Sequence, residues 1–163
     1  LVIGGDIVPL TPLSGLIEEL QRIPKLGLWS PAVEGRCHRF MRSPDRTPML
    51  YSVQWLEGMC LAMGAELRTA LDDTIPQADL NPFGWGTDLL LCRLARAQSF
   101  RVFLDYRFRV LHPGLEVRSP YSWSFVERHS QMVAAFVAQW GANYRNDLNW
   151  APHWSPASAG RSA

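Results

Sequence analysis

The stretch Gly84-Trp85-Gly86-Thr87-Asp88-Leu89-Leu90-Leu91-Cys92-Arg93-Leu94-Ala95 decides how the rest of the chain is read. A glycine-rich turn delivers one carboxylate to the start of an apolar segment. Thr87 or Asp88 is expected to cap a helix that runs to Gln98. Downstream, Phe100 to Asp105 and Arg107 to His112 read as strands. In the second, Phe108 and Val110 share a face with His112, while Arg107 and Arg109 point the other way. Upstream, Leu1-Val2-Ile3 is an apolar strand with Asp6 just beyond it. An acid after a strand, an acid at a helix start and a histidine at a strand end suit an α/β domain that holds reactive groups at the rim of its sheet.

Other segments fill in that frame. Thr11 before Pro12 reads as N-cap and first helical residue. Leu13, Leu16, Ile17 and Leu20 then line one face of an amphipathic helix ending near Pro24. Leu26 to Trp29 reads as a short buried strand stopped by Ser30-Pro31, and Val33 to Pro48 as an exposed basic loop. Met49 to Leu56 is expected to be a strand, with Leu61 to Met63 continuing it past Gly58. Ala65 to Leu71 reads as a short helix. Asp72 to Phe83, with two prolines, is a loop leading into the glycine turn. Ser124-Phe125-Val126-Glu127 fits a capping box. The helix behind it carries Phe125, His129, Met132, Val133, Phe136 and Trp140 on one face, expected to pack on the sheet, with Gly141 as its stop. The chain from Ala151 onward is rich in Pro, Ser and Ala and is expected to be disordered. Residues 1–150 then form one domain and 151–163 a tail.

Composition narrows the classes. The chain has 163 residues, 47% hydrophobic and 19% charged, enough for one globular core. A net charge of +1 and the lack of a basic stripe argue against nucleic acid as partner. Cys37, Cys60 and Cys92 are widely spaced and odd in number, which argues against a disulfide scaffold or structural zinc and favours a reducing compartment. No apolar run reaches the roughly 20 residues of a membrane span. The fully apolar Leu1-Val2-Ile3 is expected in the middle of a parallel sheet, with both faces shielded and further strands preceding it.

The ordered set resembles the C-terminal part of a family 2-type glycosyltransferase with the GT-A fold. In that family a strand ends in a D-x-D-like motif, matched by Ile3-Gly4-Gly5-Asp6-Ile7 with Gly4 in place of the first acid. A helix follows, and then a strand of the form matched by Leu26-Gly27-Leu28-Trp29-Ser30-Pro31. A strand and small-residue turn at the acceptor site correspond to Trp55-Leu56-Glu57-Gly58-Met59. An E-D-like motif opening a helix corresponds to Gly86-Thr87-Asp88-Leu89, with Thr87 in place of the first acid. Phe108-Arg109-Val110-Leu111-His112-Pro113 closes the set.

What the resemblance implies is specific. The fold would be a GT-A-like (nucleotide-diphospho-sugar transferase) mixed α/β sheet flanked by helices, its N-terminal nucleotide-binding strands upstream of Leu1. The activity would be inverting transfer of a sugar from a nucleotide-sugar donor to a saccharide, lipid-linked or other hydroxyl acceptor. Asp88 would be the general base. Asp6 and His112 would hold Mn²⁺ or Mg²⁺ against the diphosphate, Asp6 thereby contributing to donor binding. Glu57, Gly58, Trp85 and Gly86 would line the acceptor site. The enzyme would be cytoplasmic, with a peripheral contact at the inner face of the membrane left open.

Each residue also has a plainer reading. Asp6, followed by Pro9 and Pro12, suits a turn. Asp88 suits a helix start for its dipole alone, worth about 0.3–1 kcal/mol. His112 suits a satisfied strand end, Glu57 a strand-end ion pair, and Gly84-Trp85-Gly86 a tight loop. Arg36, His38, Arg39 and Arg42 suit a solvated loop as well as contact with an acidic lipid or phosphate. On these readings the chain is a non-catalytic α/β module or a transferase remnant.

Overall fold

A computed structural model describes residues 2–3, 7–35, 37, 39–42, 49–71, 86–113, 125–142 and 155–156. In chain order its strands are β1 (Val2–Ile3), β2 (Val8–Pro9), β3 (Leu26–Gly35), β4 (Leu50–Val53), β5 (Cys60–Met63), β6 (Arg101–His112) and β7 (Ser155–Pro156). Its helices are α1 (Leu16–Gln21), α2 (Ala65–Leu71), α3 (Thr87–Ala97) and α4 (Phe125–Trp140), with a single 3-10 turn at Arg39–Met41. The architecture is α/β, a mixed, curled sheet flanked by helices.

The sheet runs β1-β5-β3-β6-β4-β7, with β2 added on β6. Only β3 and β6 pair in parallel; every other described pairing is antiparallel. Leu28 to Val33 and Val102 to Tyr106 are buried without a break, as the central strands of a sheet covered on both faces must be. Alternation along these strands divides the core in two. Leu28, Val102 and Leu104 pack with Leu67 and Leu71 of α2 and with Cys92 and Ala95 of α3. Trp29 and Phe103 face the other way and pack with Leu16 and Leu20 of α1 and with Phe108.

Several expectations are met: α2 spans Ala65–Leu71, α3 ends at its C-cap Gln98, and β6 ends at His112. Arg107 and Arg109 are exposed and Phe108 and Val110 buried, although Phe108 joins the core on the α1 side and Val110 the core on the other, so the two do not share one face. Gly141 stops α4 with φ +78, its N–H donating to Val137 O at 2.8 Å.

Others are corrected. β3 does not stop at Ser30-Pro31 but continues to Gly35, and Phe40 and Met41 of the expected loop are buried. Proline lacks a ladder N–H, and the β3–β6 register slips at it: Pro31 pairs with Asp105, whereas Ala32 pairs with Arg109. The two strands expected over 100–112 are one strand with an irregularity at that slip. β5 does not continue β4; the two lie on opposite sides of the β3–β6 pair. β1 lies at one edge of the described sheet, antiparallel to β5, rather than central in a parallel sheet.

The first helix starts at Leu16 behind Gly15 (φ +75), not at Pro12. Thr11 Oγ1 instead accepts the Arg109 N–H at 3.1 Å, which ties the β2 segment to β6. The described part of α4 buries Met132 and Phe136 against Leu89 and Leu90 at the start of α3, not against the sheet. Within the segment expected to be disordered, Ser155 and Pro156 pair with Ser52 and Tyr51 of β4. The capping-box residue Ser124 lies outside the described residues. No helix among them is long and apolar enough to cross a membrane.

Candidate functional site

α3 begins behind Gly86, which sits at the N-cap with φ +76. Two facts demand glycine here. The backbone is left-handed, and a Cβ would lie 2.6 Å from Met132 Sδ and 3.2 Å from Phe136. The cap is therefore Gly86 rather than Thr87 or Asp88. Asp88, in the first turn, is left to look outward from the helix end.

Its carboxylate meets the turn between β4 and β5. The Gly58 N–H donates to Asp88 Oδ2 at 2.8 Å, and the Leu89 N–H donates to Oδ1 at 2.8 Å. One turn further along the same face of α3, Cys92 Sγ accepts the Leu56 N–H at 3.3 Å. Two side chains four residues apart thus grip two amides of one loop. Gly58 is shaped to this contact, since a Cβ there would lie 3.2 Å from Asp88 Cβ. Its lack of a side chain makes room for the carboxylate itself.

Burial pushes the Asp88 carboxyl above its ordinary pKa of 3.8, and it outweighs the backbone donors at Leu89 and Gly58, which act the other way. The Cys92 thiol, fully buried beside it, is raised further by burial, and the Asp88 charge adds to that. On the other side of the turn, Glu57 is half-buried and its charge raises the Cys37 thiol, although burial is the larger cause. The nearby Arg42 charge opposes both. Asp88 and Gly58 form a polar contact that joins the α3 start to the loop after β4, while Cys37 donates to Val33 O at 3.3 Å in the loop after β3. Cys37 was not assigned to a site from the sequence, and no local pattern marks it.

The remaining expected residues divide simply. His112 ends β6, paired in register with Gly35, whose φ of +89 and a Cβ that would fall 2.2 Å from His112 O exclude any side chain there. Asp6 and Trp85 lie outside the described residues. Among those described, no group of three or more His, Cys, Asp or Glu could hold a metal ion. The three cysteines are free thiols.

A second buried acid went unassigned. Asp105 is fully buried on the α1 face, where it accepts the Trp29 Nε1–H at 3.1 Å and three bonds from Arg107, its backbone N–H at 3.1 Å, Nε at 2.9 Å and the terminal nitrogen at 2.8 Å. Arg107 reaches on to Glu19 of α1 at 3.2 Å. An acid inside Val102-Phe103-Leu104-Asp105-Tyr106 was the available signal, because a carboxylate in a buried strand needs a partner.

Comparisons with protein-family models, with curated proteins and with solved structures find no match to this chain.

Proposed function

We propose that the chain is the acceptor-side, base-bearing part of an inverting, nucleotide-sugar-dependent glycosyltransferase of GT-A type, working in the cytoplasm on a saccharide, lipid-linked or other hydroxyl acceptor. The observation that carries the reading is the meeting of Asp88 with Gly58. These positions, 30 residues apart, correspond in the family pattern to the base and to the acceptor turn.

The chemistry suits the acid. An acceptor hydroxyl with a pKa far above neutral needs a base within hydrogen-bond reach as it attacks. Each Asp88 oxygen accepts one backbone N–H and keeps a second acceptor position for the hydroxyl proton. Those two donors fix the carboxylate's orientation, and its raised pKa makes it a better proton acceptor than an exposed aspartate. A base on the face opposite the leaving group implies a single displacement with inversion. Glu57, beside Gly58, would bond a second acceptor hydroxyl; Gly86 packs against Met132 and Phe136 of α4, so an acceptor role falls to Glu57 and Gly58.

A divalent cation would neutralise the leaving diphosphate as a Lewis acid. The described donor set for it is one imidazole, His112. That alone does not fit Mg²⁺ or Mn²⁺, which favour oxygen ligands. The cation assignment therefore leans on Asp6, and no step above runs through it.

The test is release of nucleoside diphosphate from a panel of nucleotide sugars with Mn²⁺ and candidate acceptors, with the anomeric configuration of the product read by NMR. Asp88→Asn is expected to lower turnover about a hundredfold or more. Undiminished transfer, or retention of configuration, removes Asp88 from the role of base.

One observation favours a second reading, a non-catalytic α/β interaction module. Both Asp88 oxygens are engaged by backbone amides, so the residue already has a structural task. On that reading no nucleoside diphosphate shifts the melting temperature, with or without Mn²⁺.

A further inference from the structure

At the other end of α3, a cleft of about 290 Å³ opens between the end of β4, the α3–β6 turn and the start of β6. Its walls include Ser52, Gln54, Arg96, Ser99 and Arg101, and no acidic side chain lines it. Two turns of α3 separate Arg96 from Asp88, about 12 Å of helical rise, so the cleft is distinct from the polar contact above.

Three features of its walls suit an anionic, hydroxyl-bearing occupant. Arg96 and Arg101 enter no ion pair among the described residues. The Arg101 guanidinium is stacked 4.7 Å from the centroid of the Phe103 ring, an arrangement that holds its plane while leaving its N–H edge free to donate. Gln54 Oε1 is buried with no donor, an orphan of the kind that native structures seldom leave. Ser99 closes α3 with φ +63, at the position where glycine is usual. The turn is fixed by Ser99 N–H donating to Arg96 O at 3.0 Å and Phe100 N–H to Ala95 O at 2.9 Å. A serine there keeps a hydroxyl at the cleft at the cost of backbone strain.

We infer that this cleft binds a phosphate group carried by a small, hydroxyl-bearing molecule, with orthophosphate as the minimal ligand. Arg96 and Arg101 bond the anionic oxygens, the Ser52 and Ser99 hydroxyls donate to them, and Gln54 Oε1 accepts a P–OH or a neighbouring hydroxyl. The volume lies at the small end of ligand pockets, roughly 300–1,000 Å³, and suits a phosphate head better than a nucleotide. The inference does not depend on the reading of Asp88.

The experiment is calorimetric titration of the whole chain with orthophosphate and, at matched ionic strength, with sulfate, which carries no proton for Gln54. Sedimentation with phosphatidylcholine vesicles, with and without phosphatidic acid, runs alongside. Saturable phosphate binding is expected, weaker for sulfate. Arg96→Gln and Arg101→Gln should each weaken phosphate about tenfold with an unchanged circular dichroism spectrum. Arg96 is exposed, so its variant decides the matter if Arg101→Gln fails to fold. Binding to phosphatidic acid vesicles as well assigns a lipid head group; binding of phosphate alone assigns a soluble ligand. Absence of saturable phosphate binding, equal binding of sulfate, or binding indifferent to Arg96→Gln overturns the inference.

Discussion

Asp105 and Asp88 lie on opposite faces of the same sheet and are stabilised in opposite ways. Asp105 is fully buried and faces a guanidinium; the hydrogen bond between them is the main cause raising the Arg107 pKa. Asp88 is only partly buried, and its two bonds come from uncharged backbone amides. The carboxylate of Asp105 is held by a cation that fills its acceptor positions. One facing only amides has its charge destabilised by burial and can exchange a proton. Asp88 is the candidate base through its resemblance to the family pattern, and the contrast with Asp105 is consistent with that assignment.

The largest expected effect tests the charged side. Arg107→Met leaves Asp105 buried without its cation and should cost about 3 kcal/mol in urea denaturation. Pairing it with Asp105→Leu should recover much of that loss. If the double variant is no more stable than the single one, Asp105 is not held by charge compensation.

Next comes the seat of Asp88. Gly86→Ala must place a side chain at φ +76 and displace Met132, which should cost about 2 kcal/mol and loosen α4 from α3. A wild-type melting temperature would mean that the α3 start can be repositioned freely, and with it the carboxylate.

Asp88→Asn should then cost about 1–2 kcal/mol, because an amide offers one acceptor to two N–H donors. Its pH dependence carries a sign. The folded-state pKa is raised above the ordinary 3.8, so the acid's contribution to stability is complete below 3.8 and is lost as pH rises through the folded value. Wild type should therefore lead Asp88→Asn by most in acid, and the lead should shrink toward neutrality. A gap that widens with pH would show a depressed pKa and a purely structural acid.

The smallest effect belongs to the far end of α3. Ser99→Gly relieves a left-handed serine and should stabilise the fold by about 0.5–1 kcal/mol, without moving the Asp88 titration.

The sequence made local features legible and left the long-range ones hidden. The glycine turn and the apolar run behind it located α3, and Ala65–Leu71 was readable as a helix from its own residues. The break expected near Tyr106 corresponds to a real irregularity, but one within a single strand, because β3 supplies partners on both sides of the slip. Pro31 looked like a stop because a lone strand would end there; a parallel neighbour carries the strand past it. Thr11 looked like a helix cap, and its hydroxyl was taken by Arg109 from the far end of the chain. Asp88 and Gly58 were singled out by their resemblance to a family pattern, yet their contact is a tertiary fact. The Trp29–Asp105 bond, across 76 positions, has no trace in either local segment.

The parallel β3–β6 pair also sets how this chain can reach its native state. Its partners are distant along the backbone; Glu34 and Arg109, bonded across the two strands at 2.9 Å, stand 75 positions apart. The β3–β5 pair can form earlier, but the two-sided core is complete only when that long loop has closed. The rate-limiting search should thus be a slow, non-local encounter rather than the zipping of hairpins. Polypeptide released before β6 is synthesised has β5 beside β3 but leaves the opposite edge of β3 unpaired, a state prone to association with other chains.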